Sequence, residues 1–117
     1  MTTNLKPRSE YLELPGMLGL KAEYEAEGST FEEMAGLTAL SKSLPLGLTI
    51  KIGGCEAVTD LVQALTLSPT QIVAPMIESP FAVRKFGQMM KKWDPEKRAR
   101  RLINVETVLA VETLSDI

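Results

Sequence analysis

Residues 70–80 read TQIVAPMIESP, and this stretch decides the fold class. The run IVAPMI is short and continuously apolar, as a strand buried on both faces of a parallel sheet should be. Pro75 has no amide to donate, so it belongs at the end of that strand or at a bulge. Glu78 follows, and Ser79-Pro80 opens FAVRKFGQMMKKW (81–93) as a helix, with Pro80 suited to the first helical position. A strand that runs into a helix in this way is one βα unit.

The same order of elements repeats on both sides. LGLTIKI (46–52) reads as a strand, Gly53-Gly54 as a turn, and CEAVTDLVQAL (55–65) as a helix. Upstream, LGLKAEYEA (18–26) leads through Gly28-Ser29-Thr30 into FEEMAGLTALSKSL (31–44). Ser29 with Glu32 and Thr30 with Glu33 both have capping-box spacing. Downstream, RLINVE (101–106) leads through Thr107 into VLAVETLSDI (108–117). Phe31, Met34, Leu37 and Leu40 can line one helix face, and Val58, Leu61, Val62 and Leu65 another. Four βα units predict an α/β domain built on a parallel sheet. One domain is expected over residues 1–117, with 1–16 as a lead-in.

A polar residue stands where each strand should end. Glu25, Lys51, Glu78 and Glu106 are 26, 27 and 28 residues apart, close to the ~30 residues of one βα unit. In parallel α/β folds, ligands bind at that edge. Glu23 and Glu25, two apart, share one strand face and are either a metal or ligand site or a solvated edge. Lys51 either meets a substrate anion, as a point charge or a Schiff-base amine, or lies in solvent. Gly53 and Gly54 let backbone amides approach a ligand at the next helix start, or simply make a tight turn. Glu78 is a site carboxylate or a helix-start charge. Glu106 is a ligand for Mg²⁺ or Mn²⁺, or a helix N-terminal acid. Cys55 lies where a helix would begin, but the chain has no histidine to partner it, and a buried structural thiol is the better reading. The six basic residues of KKWDPEKRARR (91–101) read as a solvated helix end and loop rather than a phosphate patch, since Asp94 and Glu96 interrupt them.

Composition narrows the function. Net charge is −2 and aromatic content 5%, so there is no general electrostatic or stacking case for nucleic acid. No apolar run approaches the ~20 residues of a membrane helix, and MTTNLKPRSE has no apolar core of a signal peptide. A single cysteine excludes an internal disulfide and suits a reducing, cytoplasmic setting. The absence of histidine excludes imidazole bases, Ser-His-Asp triads and zinc sites built on histidine.

The runs LKAEYEAEGSTFEEMAGLTALSKSLPLGLTIKIGGCEAVTDL, IVAPMIESPFAVRKF and INVETVLAVETLSDI together resemble the HpcH/HpaI aldolase/citrate lyase family over roughly residues 17–117. KIGGCEA and APMIESP are the more specific phrases, and INVET matches the family's general apolar-Glu-Thr motif. The resemblance implies a (β/α) TIM barrel, a Mg²⁺ or Mn²⁺ ion, and a small carboxylate or acyl-thioester substrate. It implies carbon–carbon bond cleavage or formation on a 2-oxo acid or hydroxyacyl compound through a metal-stabilised enolate. It assigns the metal to Glu106, substrate oxyanions to Lys51, and the acidic strand end to Glu23 and Glu25. Lys51 stands where many members have arginine, so bidentate binding is lost. The aldolase branch has a histidine base that this chain lacks, which leans towards the citrate-lyase side. A full barrel takes ~250 residues, so the 117 residues imply an incomplete barrel of about four units. The family's second metal ligand, an Asp on the next strand, would lie beyond Ile117. Such a piece is expected to be inactive by itself and to form homo-oligomers. The alternative is a non-enzymatic α/β half-barrel module that binds an anion or self-associates.

Overall fold

The computed structural model describes residues 16–117, so the expected lead-in lies outside the described residues apart from Gly16. Four strands alternate with four helices: β1 (Gly19–Glu23), α1 (Phe31–Ser43), β2 (Gly47–Lys51), α2 (Val58–Leu65), β3 (Gln71–Ala74), α3 (Pro80–Trp93), β4 (Arg100–Ile103) and α4 (Val108–Glu112). A 3-10 turn, Leu114–Asp116, follows. The strands make one parallel sheet in the order β1-β2-β3-β4. The fold is therefore α/β with parallel strands, as the repeat of strand and helix predicts.

Each strand pairs with its neighbour in sequence, and right-handed crossovers then put successive helices on one face. The core has that arrangement. Ala22, Leu48, Ile50, Ile72 and Ala74 of the strands pack in one cluster with Met34 of α1, Leu61 and Ala64 of α2, and Phe86, Met89 and Met90 of α3. Side chains alternate along a strand, so Lys21, Glu23, Thr49, Lys51 and Gln71 face away from those helices. The register aligns them across the sheet: Lys21 with Thr49, Thr49 with Gln71, Gln71 with Arg100, and Glu23 with Lys51. One face of the sheet is thus apolar and covered by α1, α2 and α3, while the opposite face is largely polar.

Local chemistry sets the helix starts. Thr30 Oγ1 accepts the Glu33 amide at 3.2 Å, and the Glu33 carboxylate accepts the Thr30 amide at 3.2 Å. Of the two capping-box pairs open in the sequence, Thr30 with Glu33 is the one that forms. Ser79 caps α3 through the Ala82 amide at 3.1 Å, with Pro80 at the first helical position. Thr107 caps α4 through the Ala110 amide at 3.0 Å.

Several boundaries differ from the sequence reading. The strands are shorter than 18–26, 46–52, 70–77 and 101–106. β1 stops at Glu23 because the chain turns back there, with the Ser29 amide donating to the Glu23 carbonyl and Gly28 left-handed at φ 61. β3 stops at Ala74 because Pro75 has no amide to continue the ladder. α2 begins at Val58 rather than Cys55, with Ala57 before it offering no side-chain cap, so Cys55 is not at a helix N-terminus. It is partly buried and packs on the core. The helix predicted over 108–117 stops at Glu112. On α1 the buried residues are Met34, Thr38 and Ser41, while Phe31 is 44% exposed. Burial of two hydroxyls is tolerated because Thr38 donates to the Met34 carbonyl at 2.8 Å and Ser41 to the Thr38 carbonyl at 2.9 Å. No helix among the described residues is long and apolar enough to cross a membrane.

Candidate functional site

Strand polarity places all four C-terminal strand ends on one edge of the sheet. There, an open cleft of about 490 Å³ is lined by Glu23, Glu25 and Ala26 after β1, Lys51, Ile52 and Gly53 after β2, Pro75 and Met76 after β3, and Glu106 after β4. That volume falls within the range of small-molecule sites. Five of the sequence candidates, Glu23, Glu25, Lys51, Gly53 and Glu106, therefore share one cleft.

Its charged side is built on Glu23. Glu23 Oε1 lies 3.1 Å from Lys21 Nζ and Oε2 lies 3.5 Å from Lys51 Nζ. The side chains of Glu23 and Lys51 are only 13% and 17% exposed, which makes this pair less screened than a surface ion pair. The hydrogen bond from Lys21, reinforced by the charges of Lys21 and Lys51, holds the Glu23 carboxyl below the usual value of 4.5 against the opposing effect of burial. Lys21 was not singled out in the sequence. Its signal was present: Lys21, Glu23 and Glu25 form one i, i+2, i+4 row, with Ala22 and Tyr24 between.

The second side joins β3 to β4. Glu106 is exposed, and its Oε1 accepts the Met76 amide at 2.9 Å. Met76 is a non-glycine residue with φ 52, a left-handed conformation that costs roughly 1–2 kcal/mol. Strain of this kind clusters at functional sites.

Three other candidates have different surroundings. The Gly53 amide is not free for a ligand, because it donates to Asp60 Oδ2 at 2.7 Å. Gly53 must also stay small: a Cβ there would lie 2.9 Å from both Asp60 Oδ2 and Glu25 Cγ. Gly54 lines a shallow depression beside Glu56 and Asp60 rather than the cleft. Glu78 lies four residues past the end of β3 and does not line the cleft. Its Oε2 accepts the Thr107 hydroxyl at 2.9 Å, and its carbonyl accepts the Thr113 hydroxyl at 3.2 Å. It braces the β3–α3 loop against α4. Tyr24, next to Glu23, has a buried hydroxyl with no partner among the described residues. Burial, with the Asp60 charge adding to it, raises the phenol above its usual value of 10.0.

A smaller hollow, about 290 Å³, lies at the opposite edge of the sheet between Leu65–Pro69 and Trp93–Ala99. Its buried carboxylate, Asp94, is already engaged by the Arg98 and Ala99 amides at 3.1 and 3.0 Å. Lys91, Lys92 and Arg98, the last paired to Glu96, are exposed as the solvated reading of residues 91–101 expects, whereas Asp94 and Ala99 are buried and Arg101 is half-buried, its Nε without a partner among the described residues.

Among the described residues, no three His, Cys, Asp or Glu side chains are grouped to hold a metal ion. The donors that do face the cleft are carboxylates. These suit a hard cation such as Mg²⁺, which is held by one or two carboxylates with water and substrate completing its shell. Glu106 fits that role, being exposed and held through one oxygen. The chain matches no protein-family model, and no curated protein matches it.

Proposed function

We propose that these residues form part of a metal-dependent carbon–carbon lyase of the aldolase/citrate lyase type, acting on a 2-oxo acid or hydroxyacyl substrate. One observation carries the reading: Glu23, Lys51 and Glu106 converge in one cleft at the C-terminal ends of β1, β2 and β4 of one parallel sheet. The one-sided placement of α1, α2 and α3 supports a partial (β/α) barrel, since open doubly wound sheets carry helices on both faces.

In this reading Glu106 holds Mg²⁺ or Mn²⁺, and the Met76 amide fixes its carboxylate. An ion held there would supply Lewis-acid polarisation of the substrate carbonyl. Lys51 neutralises the substrate carboxylate, and Glu23 keeps the Lys51 side chain at the cleft. Glu25 lines the rim. Glu78 is left out of the machinery because it serves as a brace. The described strands wall one side of the cleft, so the reading requires further βα units opposite, from the same polypeptide or from a second copy.

Titration with Mn²⁺ of a polypeptide that carries this chain together with the facing βα units, followed by electron paramagnetic resonance, tests the assignment. Glu106→Gln is expected to abolish binding, and Glu78→Gln to leave it intact. Unchanged Mn²⁺ affinity in Glu106→Gln would remove Glu106 from the site. Full turnover by monomeric 117-residue chain would refute the need for facing units.

A second reading is a non-enzymatic, self-associating half barrel. It is favoured by β1 and β4, each paired on one side only among the described strands, and by exposed Leu102, Val108, Leu109 and Val111 beside β4. Its anion-binding form at the Gly53-Gly54 turn is disfavoured because the Gly53 amide is engaged by Asp60 within the chain.

A further inference from the structure

The ladder between the ends of β3 and β4 is irregular at one point. The Asn104 amide donates to the Ala74 carbonyl at 2.9 Å, and the Ile77 amide donates to the Asn104 carbonyl at 3.2 Å. In a regular parallel ladder one residue would separate those two partners; here there are two, Pro75 and Met76. This is a β-bulge, a device that re-aims side chains beside sites. Pro75 loses nothing by leaving the ladder, since it has no amide. Met76 adopts φ 52 and turns its amide to Glu106.

The bulge also decides where the Met76 side chain lies. It is 54% exposed and lines the cleft that Pro75, Ala26, Lys51 and Glu106 also line. A glycine would relieve the backbone, and a polar residue would relieve the exposure. A long, unbranched, polarizable side chain in this position is unfavourable for stability, yet suited to packing against varied apolar groups.

We propose that Met76 is a specificity-determining residue, whose side chain forms the apolar wall for the alkyl or acyl part of a 2-oxo acid or acyl-thioester ligand. The inference rests on the reading of the cleft given above. The ligand's carboxylate lies towards Lys51, and its carbon chain runs along Met76 and Pro75.

Calorimetric titration with pyruvate and with 2-oxopentanoate, in the presence of Mg²⁺, of a polypeptide that carries this chain together with the facing βα units tests this on wild type, Met76→Gly and Met76→Leu. Two extra methylenes against an apolar wall give wild type a preference of about tenfold for 2-oxopentanoate. The preference is expected to vanish in Met76→Gly and to return in Met76→Leu. Met76→Gly is also expected to raise Tm by about 3 °C or more, because it keeps the amide donor and removes the strain. Lys51→Ala is expected to weaken both acids equally. If both acids bind with the same ratio in all three Met76 forms, Met76 has no part in selection, while the cleft keeps its reading. If neither acid binds wild type, the cleft reading fails and this inference with it. A lower Tm in Met76→Gly overturns the strain argument.

Discussion

Glu23 shows how much one residue's position within a strand decides. Its neighbours Leu20 and Ala22 face the helices, so its carboxylate shares the polar face with Lys21 and is in register with Lys51. The two ammonium groups lower its folded pKa. A carboxyl with a depressed folded pKa adds stability above its unfolded value, and that contribution is lost as pH falls through the folded value. The pH window is therefore acidic, starting near 4.5 and extending below it. Thermal melts between pH 7 and 3 are expected to show wild type losing stability over that window, with a smaller loss in Glu23→Gln. Equal slopes for the two proteins would show that the triad of charges is energetically neutral. The candidates at 23, 25, 51 and 106 were legible because charged residues at strand ends stand out against apolar strands. Glu78 misled because the regular spacing of polar residues hid the early stop of β3 at Pro75. Its carboxylate is four residues past the strand, close to the Ser79 cap and within reach of Thr107.

Elements were easier to place than their ends. A buried strand or an amphipathic helix repeats its signal over many residues, while an end depends on one or two backbone bonds. α1 illustrates both. Its start follows from the reciprocal bonds of Thr30 and Glu33. Thr30→Ala is expected to lower unfolding free energy by about 1 kcal/mol in denaturant titration, whereas Ser29→Ala should change it little. Its buried face was harder to read, since Thr38 and Ser41 count as polar in any hydropathy pattern. They are buried because their hydroxyls bond within the helix. The late start of α2 has a related cause: Asp60, inside the helix, reaches back to the Gly53 amide and holds residues 53–57 as a turn.

At the scale of the whole molecule, the repeat of strand and helix gave the sheet its composition, and the neighbour-to-neighbour order leaves β1 and β4 as the two edges among the described strands. The apolar side chains of Leu102, Val108, Leu109 and Val111 are exposed near the β4 edge. Patches of this kind mark contact surfaces, and unpaired parallel edges are templates for further pairing. If self-association covers them, light scattering at micromolar concentration should give a mass above the 12.8 kDa of one chain. Leu102→Lys with Val108→Lys is then expected to return it to a monomer that still melts cooperatively. A wild-type monomer would leave that surface to other βα units. None of this was visible from hydropathy alone, because an apolar residue at a sheet edge and one in a core look the same in a sequence.

The neighbour-to-neighbour strand order also bears on how the chain is made. Every strand pair joins segments that leave the ribosome one after the other, so each pairing closes as soon as one more unit has emerged. β1 can dock on β2 once residue 51 is out, and the strip then lengthens at one margin only. Sheets whose strand order departs from synthesis order must wait for late segments to arrive, and contacts between distant segments slow folding. Here the order of translation and the order of assembly coincide.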